Sequence, residues 1–84
     1  MQKSIEDTIR QMMVERLFLP IQPEDIALDA NLIETYGIDS VQVSELVVGT
    51  EAAFGISFED DDFDPTRFDT LRHIAELVRS KLEK

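Results

Sequence analysis

An aspartate followed by a serine is the pair in this sequence whose types and position best suggest chemistry. Asp39 and Ser40 stand where a long irregular segment gives way to a helical pattern of apolar residues. Taken alone, the pair is explained by helix capping, since Asp and Ser are both preferred as N-cap residues. The position also places an exposed hydroxyl at the positive end of a helix, which suits an attached anion. The pair is therefore a candidate modification site.

Two other groups resemble catalytic or metal-binding motifs. His73 is the only histidine, and we expect it on the surface of the last helix, not in a triad with a serine and an aspartate. Asp60, Asp62 and Asp64 resemble the start of a calcium-binding loop, but Pro65 occupies the position that requires glycine. A solvated acidic loop is the expected structure there. The motifs predict no enzymatic activity.

Composition narrows the class of protein further. The 84 residues include 18 acidic and 8 basic side chains, which give a net charge of -10, and there is no cysteine. A chain of this length buries only about 60% of its unfolded surface, so we expect one domain over residues 1–84 without a catalytic pocket of its own. The negative charge disfavours nucleic-acid and membrane partners. With no signal peptide or spanning segment, a cytoplasmic protein is expected.

Apolar residues at helical spacing predict a first helix over residues 4–18. Ser4, with Asp7 three residues later, resembles a capping box, and Pro20 and Pro23 stop the helix. The apolar side of the helix comprises Ile5, Ile9, Met12, Met13 and Leu17. The segment that follows, up to Ile38, has no clean period and is predicted to be a long loop pinned to the core by single apolar residues.

A second main helix is predicted from Ser40 to Phe54, with Gly55 as its left-handed end. The predicted core face comprises Val43, Leu46, Val47, Thr50, Ala53 and Phe54. The opposite face carries Ser44, Glu45, Glu51 and Ala52, together with Val41 and Val48. These two valines lie within about 20° of each other on the helical wheel and form an apolar strip edged by acids. The strip is a candidate docking surface.

The remaining residues predict one short and one long helix. Asp64 followed by Pro65 indicates a single turn over Pro65 to Phe68. Asp69 or Thr70 then caps a last helix whose apolar residues are Leu71, Ile74, Ala75, Val78 and Leu82. No segment alternates with the period of a strand. The predicted fold is all-α: a small four-helix bundle with three main helices, one short helix and a long loop between the first two main helices.

The stretch from Asp29 to Phe58, DANLIETYGIDSVQVSELVVGTEAAFGISF, resembles the centre of an acyl carrier protein. The order of elements is similar across nearly the whole chain. The resemblance implies that Ser40 carries a 4′-phosphopantetheine arm, donated by coenzyme A through a phosphopantetheinyl transferase, and that Asp39 helps this enzyme to bind magnesium. The absence of cysteine fits, because the prosthetic group supplies the reactive sulfur. The chain itself is then not an enzyme.

The resemblance also implies partners and leaves the pathway open. The expected partners are acyl-loading, synthase and other acyl-transfer enzymes with basic docking surfaces, which would meet Val41, Glu45, Val48 and Glu51 on a monomeric carrier. Gln42 and Ala52 stand where carriers of fatty-acid synthesis commonly have acids, so fatty-acid, polyketide and related specialised pathways all stay open. The alternative is a small acidic helical module, such as a nucleic-acid mimic that binds a basic protein.

Overall fold

The computed structural model describes residues 4–59, 62 and 67–83 of the chain. Within these residues there are four α-helices. They are α1 (Ile5–Leu17), α2 (Leu32–Tyr36), α3 (Ser40–Phe54) and α4 (Leu71–Leu82), with a 3-10 turn at Pro23–Asp25. No strand occurs in these ranges, and the all-α prediction with three main helices is confirmed. The short helix predicted over Pro65 to Phe68 lies partly outside the described residues, because residues 63–66 are not among them.

The first helix lies at the centre of the packing, against both α3 and α4. Ser4 is its N-cap, as predicted, and the Ser4 hydroxyl accepts the Asp7 N–H at 3.1 Å. The Asp7 carboxylate does not complete the box but pairs with Arg10 at 2.9 Å. Its predicted apolar side is buried at Ile9, Met12, Met13 and Leu17. Burial of this stripe is the main contribution of α1 to stability.

Contact between α1 and α3 depends on Gly49, which is buried. A Cβ atom at this position would lie only 2.5 Å from Arg16 Cδ and 2.7 Å from Met12 Sδ. Glycine therefore lets the two helices approach closely. The core face of α3 is buried at Leu46, Val47 and Thr50, as the periodicity predicts. Val43 and Phe54 pack against this core while partly buried.

Two residues of the predicted apolar stripes are not in the core. Ala53 is exposed, because it lines an open surface groove between α1 and α3. In α4 the predicted stripe is buried at Leu71, Ile74, Ala75 and Val78, but Leu82 is 48% exposed in the last turn. Thr70, and not Asp69, is the N-cap of α4, since its hydroxyl accepts the His73 N–H at 3.2 Å.

The long segment between α1 and α3 is held against the core, as predicted, by the buried residues Ile26, Leu32 and Ile38. Two backbone hydrogen bonds tie it to the beginning of α4 and the residue before its cap: the Arg72 N–H donates to the Leu28 carbonyl at 3.0 Å, and the Leu32 N–H donates to the Asp69 carbonyl at 2.8 Å. These bonds fix the path of the chain toward the start of α3.

The prediction of loop throughout this segment is wrong at Leu32–Tyr36, which forms α2. Asn31 caps this helix by accepting the Glu34 N–H, and Gly37 ends it with φ of 67°. Five residues are too few for apolar periodicity to be visible, so the helix is indicated only by its two capping residues.

Candidate functional site

Ser40 is the first residue of α3, and its side chain is exposed. The N-cap is Asp39, whose carboxylate accepts the Gln42 N–H at 2.8 Å. In return, Gln42 Oε1 accepts the Asp39 N–H at 3.0 Å, which completes a reciprocal capping box. Of the two capping residues that the sequence leaves open, the structure selects Asp39. The Ser40 hydroxyl has no part in the cap and stands at the helix terminus.

The segment before Ser40 is anchored on both sides of Gly37. Ile38 is buried two residues before Ser40. The hydroxyl of Tyr36 accepts the Ala27 N–H at 2.8 Å and donates to the Asp25 carbonyl at 3.2 Å. Because the exposed serine lies only two residues after a buried anchor, its position relative to the core is well defined.

An anionic group on Ser40 fits the electrostatics of this position. The first N–H groups of a helix have no intrahelical carbonyl partner, and α3 has 15 residues with aligned peptide dipoles. A phosphodiester at such a terminus gains about 0.3–1 kcal/mol. The chemistry of the residues present therefore fits a phosphate-linked prosthetic group.

The two valines of the candidate docking strip are exposed, as predicted: Val41 by 71% and Val48 by 51%. Glu45 lies between them on α3 with its side chain half exposed, and it pairs with Arg16 of α1 at 3.2 Å. The strip therefore combines apolar surface from α3 with a cross-helix ion pair.

Glu51 does not lie on the open face where the helical wheel places it. The residue is partly buried, and its carboxylate accepts the Phe58 N–H at 2.8 Å. The reason is the left-handed Gly55, with φ of 64°, which turns the chain back beside the last turn of α3. The Glu51 charge thus holds the segment after α3, and only part of the side chain faces solvent.

Two further polar residues singled out in the sequence, His73 and Asp62, have structural partners. The Nδ1 atom of His73, which is exposed, hydrogen-bonds the Asp69 carboxylate, and this bond raises the pKa of His73. The hydrogen bond from Lys81, at 2.6 Å, lowers the pKa of Asp62. Asp60 and Asp64 of the acidic run lie outside the described residues. Within the described ranges, no cluster of three His, Cys, Asp or Glu side chains could hold a metal ion.

Gln42 is a site residue whose role the sequence reasoning missed. Besides accepting the Asp39 N–H, its amide donates through Nε2 to the Leu17 carbonyl at 3.4 Å. The side chain thereby links the beginning of α3 to the end of α1. Its place three residues after an N-cap aspartate is the local signal for the capping half of this role. The link to Leu17 has no signal in the sequence, because it depends on how the helices pack.

Comparison with known proteins agrees with this geometry. The profile of the family described as "Phosphopantetheine attachment site" matches residues 7–79. The acyl carrier protein of Chlamydia trachomatis serovar L2 is 31% identical over 87% of this chain and 95% of its own length. Acyl carrier protein 2 of Pseudomonas aeruginosa is 35% identical over 88% and 89%, respectively.

A solved structure is similar as well. It is that of an engineered Bradyrhizobium japonicum glycine:[carrier protein] ligase complexed with carrier protein from Agrobacterium tumefaciens and ATP. The match has a TM-score of 0.79 and 29% identity, and covers 90% of this chain and 97% of the other. In the part of the chain described here, no helix is long and apolar enough to cross a membrane.

Proteins of the phosphopantetheine attachment type are carriers and not enzymes, and a small helical domain that displays a serine at a helix terminus agrees with that class. The chain belongs to the phosphopantetheine attachment site family, and its curated relatives are acyl carrier proteins. The family implies a covalently attached 4′-phosphopantetheine group, which supplies the thiol that carries acyl groups. Family membership does not favour the alternative of a nucleic-acid mimic.

Proposed function

We propose that Ser40 bears the 4′-phosphopantetheine arm and that the protein presents acyl groups, bound to the arm as thioesters, to a series of enzymes. The observation that carries the proposal is the exposed Ser40 hydroxyl at the start of α3, directly after the Asp39 cap. Attachment forms a bond between Ser40 Oγ and the pantetheine-bearing phosphorus atom of coenzyme A. The pyrophosphate bond to that phosphorus breaks, adenosine 3′,5′-bisphosphate leaves, and the hydroxyl proton passes to a base of the transferase or to water. An exposed hydroxyl outside the capping box can be approached by a transferase without unfolding the helix.

Asp39 is proposed to help the phosphopantetheinyl transferase hold its magnesium ion. Only one carboxylate oxygen, Oδ1, takes the Gln42 N–H, so the second oxygen is available to a cation brought by the enzyme. The neighbouring acids and the net charge of -10 support approach by enzymes with basic docking surfaces.

Enzymes that act on the arm are proposed to dock on Val41, Val48, Glu45 and the exposed part of Glu51. Charge attraction accelerates the encounter, and apolar contact sets the lifetime of the complex. The similarity to a carrier chain in complex with a ligase supports acyl-loading enzymes among these partners.

A specialised pathway, such as polyketide synthesis, is proposed as a setting beside fatty-acid synthesis. Gln42 and Ala52 leave α3 with fewer acids than carriers of fatty-acid synthesis commonly have, and this supports the proposal. A monomer working in the cytoplasm is also proposed, and the net charge of -10, which opposes self-association, supports the monomer. The intact mass of the protein from its native host would report the cargo, and an unmodified fatty-acid series on the arm would contradict a specialised role.

Intact mass also tests the attachment site directly. Incubation with coenzyme A and a phosphopantetheinyl transferase should add one arm of about 340 Da to the protein. Ser40→Ala should remove this gain completely. Ser44→Ala is the matched control, because Ser44 is an exposed serine one turn along α3 whose hydroxyl donates only to the Ser40 carbonyl. An arm mapped to Ser44, Ser57 or Ser80 would overturn the proposal.

A further inference from the structure

Phe18 is the most exposed large apolar residue of the described chain, at 88%. It is also the one described non-glycine residue with positive φ, 54°, in the left-handed conformation that ends α1. The corresponding left-handed ends of α2 and α3 are glycines, Gly37 and Gly55. A β-carbon is unfavourable in this conformation. Neither backbone geometry nor burial in the fold therefore accounts for a phenylalanine here.

The position of Phe18 is defined relative to the modification site. The Gln42 amide accepts the Asp39 N–H and donates to the Leu17 carbonyl, and this carbonyl belongs to the peptide bond that leads into Phe18. One amide side chain thus separates the backbone at Phe18 from the backbone just before Ser40. Val41, also exposed, follows Ser40 at this same end of α3.

The surroundings of this apolar surface are acidic. Glu15 and Asp39 are exposed at the ends of the two helices, and Arg16 is already paired with Glu45. A partner that covers Phe18 should therefore present an apolar recess with lysine or arginine side chains at its rim. Such a partner is a different protein with a basic surface. A second copy of this chain does not fit, because it would bring a further charge of -10.

We propose that Phe18 is a docking residue for the phosphopantetheinyl transferase that modifies Ser40, and that Gln42 positions it. The proposal rests on the proposed function of Ser40. The transferase must bring its reacting atoms onto the Ser40 hydroxyl, whereas enzymes that act on the acyl group meet the far end of the arm. An interface of ordinary size covers about 800 Å² on each partner, so residues beside Ser40 lie within it.

The role of Gln42 requires its amide nitrogen. A glutamate at this position can still accept the Asp39 N–H, but it cannot donate to the Leu17 carbonyl, and its charge repels that oxygen. Gln42→Glu should therefore preserve the capping box and disturb the position of Phe18. This substitution separates the link between α1 and α3 from the cap of α3.

Steady-state kinetics of arm transfer from coenzyme A, with the transferase of the source organism, test the proposal. Phe18→Gly should raise the KM for the carrier about fivefold and leave kcat within about twofold. Measured at high salt, where attraction between the added carboxylate and a basic partner is screened, Gln42→Glu should raise KM in the same direction. Phe18→Leu should restore part of the affinity. The melting temperature of Phe18→Gly should equal or exceed that of the parent protein, because glycine suits the left-handed conformation.

Leu82→Ser is the matched control. Leu82 is an exposed apolar residue, 48% exposed against 51% for Val48. It lies near the opposite end of α1, because Arg79 in the preceding turn of α4 pairs with Glu6 at the start of α1. Its KM should be unchanged.

An unchanged KM for Phe18→Gly would overturn the proposal, and so would a melting temperature that falls together with the affinity. Sedimentation that reveals a dimer dependent on Phe18 would assign the surface to a second copy and also overturn it. If the parent protein accepts no arm at all, the proposed function of Ser40 fails first. If the parent protein accepts the arm normally and Phe18→Gly does so equally well, only the docking role of Phe18 is rejected.

Discussion

Replacing Val41 or Val48 by serine should weaken binding of partner enzymes by an amount that follows from the exposure of each valine. Full burial of a valine side chain is worth about 1.5 kcal/mol. Val41 is 71% exposed and Val48 is 51% exposed, so a partner that covers them gains about 1.1 and about 0.8 kcal/mol, respectively. Each substitution should therefore raise Kd or KM by about four- to sixfold.

The same reasoning limits the effect on folding. The parts of the two side chains already buried contribute only about 0.4 kcal/mol at Val41 and about 0.7 kcal/mol at Val48. Serine and valine have similar helix propensities, so no large backbone effect is added. The free energy of unfolding should fall by less than about 1 kcal/mol in either variant.

Urea denaturation and the kinetics of an acyl-loading partner enzyme, measured on the same protein samples, check both numbers. Leu82→Ser is again the control, because Leu82 is 48% exposed but lies on α4. It should show a similar small loss of stability with unchanged KM. A loss of unfolding free energy above about 2 kcal/mol in the valine variants would mean that these residues belong to the core, and normal binding would mean that the strip is not a docking surface.

Three further results are expected. Asp39→Asn should slow arm transfer while the melting temperature changes little, because the Asn side-chain oxygen can still accept the Gln42 N–H; unchanged kinetics would remove Asp39 from the transfer step. Association with the transferase should slow as salt rises, since attraction of exposed acids is screened beyond about 8 Å at physiological ionic strength, and Glu45→Gln should reduce that dependence; a rate that is flat in salt contradicts electrostatic steering. The hydrogen bond to Asp69 raises the pKa of His73, so its contribution to stability should be complete below the pKa of the unfolded chain and disappear as pH rises through the folded pKa; an NMR titration of His73 that is identical in Asp69→Asn would contradict this.

Helix boundaries could be predicted well because their signals are local. The bounds of α3 agree with the prediction at both ends, since Asp39 and Gly55 act on backbone groups only a few residues away. The same holds for Ser4 and Thr70 as the caps of α1 and α4. The candidate modification site was predictable for the same reason, because an exposed serine after an N-cap aspartate is a property of one helix terminus.

The surroundings of each face of α3 depended on tertiary structure. A helical wheel gives the direction of a side chain but not what lies beside the helix. Ala53 points along the core stripe, yet it lines an open groove between α1 and α3. Glu51 points away from the stripe, yet the chain returns at Phe58 and takes up its carboxylate. Both differences arise from how separate elements pack.

Residue chemistry in the sequence by itself determined the fold class, the acidic character and the serine on which the proposed function depends. Only the tertiary structure decided that Gln42 joins the ends of two helices and that Phe18 stands exposed directly after this link. The physical reason is distance along the chain: the Gln42 to Leu17 hydrogen bond spans 25 residues, and apolar periodicity and capping act only over single turns. Contacts of this range exist only after the helices have packed.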